Sequence, residues 1–347
     1  METVQYAQSN RIVELMRQPE EQRDAEWLKD AVQQAVLLEL ATLPPYLCGM
    51  WSLDTTSGDR FFRTLNTIVF DEMSHLGIAC NMLTTIGGTP RLAGETLVPG
   101  YPGPLPGGVR PELTVFLSGL TKDSVTMYAS IEKPDAPVTP APPAAYTSIG
   151  AFYTAIRDAF RASPHLISAV PHRQVTRNME THGSGNSLVP LTTLDSVESA
   201  IKVIKEQGEG TSASPENPFP DPGTQHELAH YYAFLQILRD LSDPGIPGPP
   251  ILPMGVVPRG GWPRTGPGAP VPEVTALLDK SNRAFSDMLR LLEQVWQQDD
   301  SDVADDLLNN AVTKMFKLRS PARDLMKRAL PDGSGKNYGP EFRYVAA

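Results

Sequence analysis

Residues 71–80, DEMSHLGIAC, set Glu72 and His75 three positions apart inside a long run whose apolar residues recur at helical spacing. The phrase returns in HELAH, residues 226–230, as Glu227-x-x-His230. Read alone, HELAH is the signature of a zinc peptidase, two imidazoles one turn apart with a Glu as general base. That reading has no use for the first copy, and it needs a third ligand downstream. After His230 the chain has no further His, and the nearest acidic residues are Asp240 and Asp243. Six His and 19 Glu in 347 residues predict roughly a third of one such match by chance. A spacing of three puts Glu and His side by side on one helix face, where both reach a single ion while the second carboxylate oxygen bridges to a neighbour. Two copies, completed by one Glu from each of two other helices, are what a carboxylate-bridged dinuclear centre in a four-helix bundle requires.

The helix before DEMSHLGIAC, about 24–51, is almost wholly apolar after Gln34, so burial on most sides is expected, with a kink or stop at Pro44 and Pro45. Glu39 lies within it, flanked at helical spacing by Ala35, Val36, Thr42 and Leu43. An unpaired carboxylate there costs several kcal/mol or is protonated, so it needs a counter-charge, either a metal or an Arg from elsewhere. Glu72 has the same problem between Ile68, Val69 and Leu76, on a helix expected over 58–87 and stopped by Gly87-Gly88. The third helix, about 195–210, opens with Asp195 three residues before Glu198, a capping arrangement. Its acidic candidates are Glu209, which ends it at the level where Glu227 begins the fourth helix (about 224–241), and Glu206 as an alternative or additional ligand. For Glu227 a capping box with Thr224 competes with ligation, and His226 reads as a polar residue of the first turn or a partner of the ligands.

Between the second and third helices, 88–194 reads as an insertion. It is rich in Pro and Gly, with ELTVFLSGL (112–120) as a strand or short helix, SIGAFYTAIRDAFRA (148–162) as an amphipathic helix, and an irregular segment carrying His165, His172 and His182. Two further helices are expected within 272–330. Helices dominate, no βαβ alternation or internal repeat is visible, and the expected architecture is all-α, one domain over 1–347. The net charge of −10 and scattered Lys and Arg argue against nucleic acid as a partner. No stretch has the length of a membrane span and the first residues lack a signal-peptide pattern, so a soluble, cytoplasmic protein is expected. Cys48 and Cys80 are too few for a disulfide framework.

LLELATLPPYL, DEMSHLGIACNMLTTIGGTPRL, IKEQGEG, ELAHYYAFLQI and the closing GPEFRY together resemble the ferritin-like domain of iminophenyl-pyruvate dimer synthases, known from violacein and chromopyrrolate biosynthesis. The similarity runs in order from about residue 25 to the C-terminus. It implies a ferritin-like four-helix bundle, here with Pro/Gly-rich insertions and additional C-terminal helices, holding a Glu, Glu-x-x-His, Glu, Glu-x-x-His metal centre. It does not bring the dimer synthase activity with it, because those enzymes are much longer chains.

The expected ligands are therefore Glu39, Glu72, His75, Glu209, Glu227 and His230, a donor set suited to two iron ions, or manganese, rather than to structural zinc. The expected function is oxidation of a small organic molecule with dioxygen as cosubstrate, as in a biosynthetic tailoring step. The alternatives are a ferroxidase or iron-binding protein and, remotely, the zinc peptidase. Tyr46, Phe70 and Tyr231, within about one turn of the ligands, are candidates for the substrate pocket. An external electron donor is compatible with this chemistry, and a monomer or small oligomer is expected because the insertions would obstruct a closed shell.

Overall fold

The computed structural model describes residues 9–54, 59–134, 148–179, 186–211, 213–217, 227–266 and 268–347. Nine α-helices lie among the described residues: α1 Arg11–Met16, α2 Ala25–Ser52, α3 Arg60–Thr85, α4 Lys122–Ile131, α5 Ile149–Ala162, α6 Leu194–Glu209, α7 His230–Ser242, α8 Pro272–Val295 and α9 Ser301–Leu325. Two short antiparallel pairs accompany them, β1 (Arg177–Asn178) with β2 (Ser187–Leu188) and β3 (Glu216–Asn217) with β4 (Glu227–Leu228). The α2–α3 pair forms the centre; α4 packs on α7, α5 on α6, and α8 and α9 form a hairpin whose second helix meets α2. No helix among the described residues is long and apolar enough to cross a membrane.

The side chain of Asp24 caps α2, accepting from the backbone N–H groups of Glu26 and Trp27. Contrary to the expected break, α2 runs through Pro44 and Pro45 to Ser52. A proline at 45 withdraws the N–H that would bond the carbonyl of residue 41. The Tyr101 hydroxyl supplies the missing donor, 2.7 Å from the Ala41 oxygen, and the Tyr128 hydroxyl donates to the Pro45 oxygen at 2.7 Å. Tyr128 comes that close because residue 49 is Gly, where a Cβ would lie 2.7 Å from the Tyr128 hydroxyl. The continuous helix carries both Glu39 and Tyr46.

Asp59 caps α3, and its C-terminus closes as expected at Gly87-Gly88. Gly87 has φ +74°, its N–H bonds the Thr84 oxygen and that of Gly88 bonds the Leu83 oxygen, satisfying two orphan carbonyls. On α6 the cap differs from expectation. Thr193 and Ser196 form the reciprocal box, while Glu198 pairs with Arg161 from α5. The insertion is more structured than its composition suggests, because it contains α4, opened by a Thr121–Ser124 capping box, as well as α5. ELTVFLSGL is neither strand nor helix; its Val115 makes a single bridge to Gly103. The C-terminal phrase GPEFRY is clasped against α8. Buried Glu341 accepts from the Trp262 N–H, the Asn282 amide and both terminal nitrogens of Arg264.

Candidate metal centre

Five buried side chains from three helices and the end of a fourth converge. Glu39 comes from α2, Glu72 and His75 from α3, His230 is the first residue of α7, and Glu132 caps the C-terminus of α4. They form two groups that share Glu72, one with Glu39 and His75 and the other with Glu132 and His230; in each group the candidate ligand atoms lie within 4.8 Å of one another. Nδ1 of His75 is 3.7 Å from both Glu39 Oε2 and Glu72 Oε1, and Nδ1 of His230 is 2.9 Å from Glu72 Oε1 and 3.9 Å from Glu132 Oε2. Among the described residues no Lys or Arg pairs with any of the three carboxylates. Among the described residues the cationic groups that pair with them are the two imidazoles, whose rings stand 5.7 Å apart, while Lys205 at the chamber wall donates to Thr154.

The outer nitrogens of both rings are held by one buried belt. His75 Nε2 lies 2.7 Å from Gln207 Oε1; Gln207 Nε2 reaches Asn186 Oδ1 at 3.5 Å; Asn186 Nδ2 donates to Asp71 Oδ1 at 2.5 Å; and Asp71 Oδ2 lies 3.1 Å from His230 Nε2. Followed donor to acceptor, the belt puts a proton on Nε2 of each His and leaves each Nδ1 as the inward-facing lone pair. His230 Nδ1 is a buried atom without a hydrogen-bond partner, because its 2.9 Å contact with Glu72 lacks hydrogen-bond alignment. A buried orphan nitrogen aimed at uncompensated carboxylates fits a cation between them. The outer carboxylate oxygens are fixed too. The Tyr153 hydroxyl donates to Glu39 Oε1 and that of Tyr46 to Glu132 Oε1, each at 2.5 Å, and Thr42 donates to Glu72 Oε2 at 2.6 Å.

Without a metal, the electrostatics are those of a crowded anionic site. Burial raises the pKa of Glu39, and burial with the adjacent Glu72 charge pushes Glu132 up to about 8. Burial acts on Glu72 in the same sense, but contact with His230 and the two imidazolium charges hold it below the usual value. Burial would lower His75, yet the carboxylates of Glu39 and Glu72 lift it to about 9; Asp71 and Glu72 lift His230 in the same way, against burial.

Four of the expected ligands, Glu39, Glu72, His75 and His230, are brought together. Glu227 is not in either group. The fourth helix begins at His230 rather than near 224, and Glu227 lies before it in β4, half-buried and paired in register with Asn217. Glu227 thus lies in a strand and not on the helix that His230 opens; Thr224 and His226, on which the capping box and the peptidase reading rest, lie outside the described residues, as does His182. The carboxylate beside His230 is instead Glu132, from the insertion. Its signal in the sequence was a Glu closing an apolar helical phrase, VTMYASIE, opened by Thr121-x-x-Ser124. On α6 the residue that reaches His75 is Gln207. Glu209, the last residue of α6, borders the same chamber, where Gly150 leaves room for its carboxylate. Glu206 lies outside both groups, 3.8 Å from Lys202. Of the pocket candidates, Tyr46 touches the centre through Glu132, Phe70 lines a different cavity, and Tyr231 packs edge-on against Tyr232 with ring centroids 5.0 Å apart. Cys48 and Cys80 are buried thiols.

Residues 32–239 match the Ferritin-like family. Among solved structures, the fold is similar to the crystal structure of a ferritin-like protein from Caulobacter vibrioides, with a TM-score of 0.64 and 21% sequence identity over 92% of this chain and 97% of that one. No curated protein matches the chain.

Proposed function

This chain belongs to the Ferritin-like family, and on that footing we propose that it is a dinuclear non-haem iron enzyme, with manganese as the alternative metal, that uses dioxygen to oxidise a small organic substrate. The observation that carries the reading is the pair of imidazoles, each held at Nε2 with Nδ1 turned toward three buried carboxylates that form no ion pair with a Lys or Arg among the described residues. Glu39 and His75 would hold one ion, Glu132 and His230 the other, and Glu72 would bridge them, with Glu209 close enough to the chamber to complete the set. Carboxylate and imidazole donors favour iron or manganese over a closed structural zinc site. When bound, such a pair supplies the electron-transfer chemistry toward dioxygen that no side chain here provides.

The protein's own contribution is orientation and exclusion. Tyr153, Tyr46 and Thr42 each bond an outer carboxylate oxygen, which selects the oxygen that faces the centre, and the Gln207–Asn186–Asp71 belt selects the imidazole tautomer. The chamber has a volume of only about 30 Å³, enough for a molecule the size of water or dioxygen. An organic substrate would approach where Ile149 and Gly150 of α5 face Lys205 and Glu209 of α6. The resemblance to the iminophenyl-pyruvate dimer synthases is the ground for placing the reaction in a biosynthetic tailoring step. We further propose a small-molecule substrate, an external electron donor, no nucleic-acid partner and a monomer or small oligomer.

The tightness of that chamber favours one second reading, a ferroxidase that moves ferrous ions rather than organic molecules. Metal analysis and aerobic iron loading separate the two. The enzyme reading expects close to two iron or manganese ions per chain, unchanged after excess ferrous iron and gel filtration, as five or six ligands allow. Tens of irons retained per chain in a cage-sized particle would overturn it in favour of storage. One zinc per chain would remove the dinuclear reading altogether.

A further inference from the structure

The far side of the α2–α3 pair carries a second, larger feature, a cavity of about 390 Å³ closed on the other side by α8 and α9. Neighbouring residues on the two helices divide their work. Glu39, Thr42, Glu72 and His75 line the metal chamber, while Leu40, Leu43, Met73 and Leu76 line the cavity, so the helix pair separates the two sites. The cavity is long. Phe62 and Gly77 both line it, and at ~1.5 Å of rise per residue they lie roughly 22 Å apart along α3. Its wall is apolar and deformable, with five of the chain's 11 methionines (Met50, Met73, Met179, Met288, Met315) on it.

Two cations sit in this apolar wall, one toward each end. Arg177 is paired in register with Leu188, which packs on Gly77. Arg319 stands over the Phe62 ring, 5.5 Å from its centroid. Neither guanidinium makes a side-chain hydrogen bond or an ion pair among the described residues. Arg323 nearby bonds Asp54 at 2.6 Å and the carbonyls of Trp51 and Leu53, so that carboxylate is already engaged by another guanidinium. Arg319 is solvent-exposed at the rim of the cavity, and desolvation on its inner side together with the Arg323 charge depresses its pKa, as for a cation without an anionic partner. Phe316, one turn away on α9, is 68% exposed and marks this end as open to solvent.

An elongated apolar cavity of ligand size, with an unpaired guanidinium at its open end, is complementary to one kind of molecule. We infer that this cavity binds a single-chain amphiphile with one anionic head group, its hydrocarbon chain laid along the α2–α3 face and its head at Arg319. The site is separate from the proposed metal chemistry, and its occupancy does not depend on which reaction, if any, the metal centre performs.

The test is calorimetric titration of the full-length, metal-loaded protein with dodecanoate and with uncharged dodecan-1-ol, followed in parallel by fluorescence of Trp51 and Trp296, both of which line the cavity. We expect one dodecanoate per chain, bound about fivefold or more tighter than the alcohol, as a partly exposed charge-assisted contact allows. Arg319→Gln should erase that preference while leaving alcohol binding in place, and Arg177→Gln should change it less. Val312→Trp, which fills the cavity from α9, should abolish binding of both with the metal content unchanged. Absence of dodecanoate binding to the wild type overturns the inference. So does a preference for dodecanoate that survives Arg319→Gln, or binding that survives Val312→Trp. A dimer that excludes dodecanoate until dissociated would give the cavity to a second copy of the chain and likewise overturn it. Loss of metal from the wild type would bear on the proposed function and not on this site.

Discussion

Replacing Glu132 by Gln should make the metal-free protein more stable and the metal-loaded protein less so. Glu132 is 8% exposed, and burial beside the charge of Glu72 raises its pKa from 4.5 to about 8. Between those values the folded chain keeps a proton that the unfolded chain gives up, so stability contributed at this position falls as pH rises through the window. At ~1.4 kcal/mol per pH unit, the deficit is below about 1 kcal/mol at pH 5, about 3 kcal/mol at pH 7, and level above about pH 8. Gln has the shape of the protonated acid and can still accept from Tyr46, so the variant should be free of the deficit. Urea unfolding of chelator-treated protein at pH 5, 6, 7 and 8 should show near-equal stability at pH 5 and an advantage of about 2–3 kcal/mol for the variant at pH 7. With metal present the order should reverse, because a ligand at a hundred times its Kd contributes about 2.7 kcal/mol to a chain that binds it. A variant no more stable than the wild type at pH 7 without metal, or an advantage that does not widen from pH 5 to 7, refutes the reasoning.

Three further outcomes follow from the same geometry. After dialysis against a weak chelator, elemental analysis should find about one ion per chain in Glu132→Gln, almost none in Glu72→Gln, whose carboxylate both groups share, and the full complement in Glu227→Gln; metal loss in Glu227→Gln would reject the ligand set. Gln207→Leu removes the acceptor for His75 Nε2 but no ligand, so anaerobic cobalt(II) titration should give an unchanged stoichiometry with affinity lowered about 10- to 100-fold. Tyr101→Phe leaves the Ala41 carbonyl, buried and already deprived of its helix partner by Pro45, without a donor. Denaturant unfolding should then show a loss of about 1–3 kcal/mol with metal content unaltered.

Helix positions and the all-α class were legible because they depend on local rules. The apolar run around Glu39, the Gly87-Gly88 stop of α3, and helices close to 272–298 and 302–329 were expected and are present with small shifts at their ends. The pairing of Glu72 with His75 was legible for the same reason, since three residues on one helix fix their relation whatever the surroundings. Residues joined across the chain were not. Glu132 is separated from Glu72 by 60 positions and from His230 by more, and it reaches them because α4 packs on α7; its local signal, a Glu closing an apolar helical phrase, says nothing of which distant residues it meets. Glu227 carried the stronger local signal and lies elsewhere, because the helix that would have aimed it inward starts at His230 and the preceding residues pair as a strand with 216–217. The two prolines in α2 show the same division. The sequence marks a kink or a stop, the helix runs on, and a tyrosine 56 residues away from Pro45 donates to the carbonyl that this proline leaves without its helix partner. Periodicity and spacing act within a helix and are determined by the sequence alone; which helix end faces a buried charge, and which distant hydroxyl or amide satisfies it, is decided by packing, where an unmet charge or carbonyl is too costly to leave.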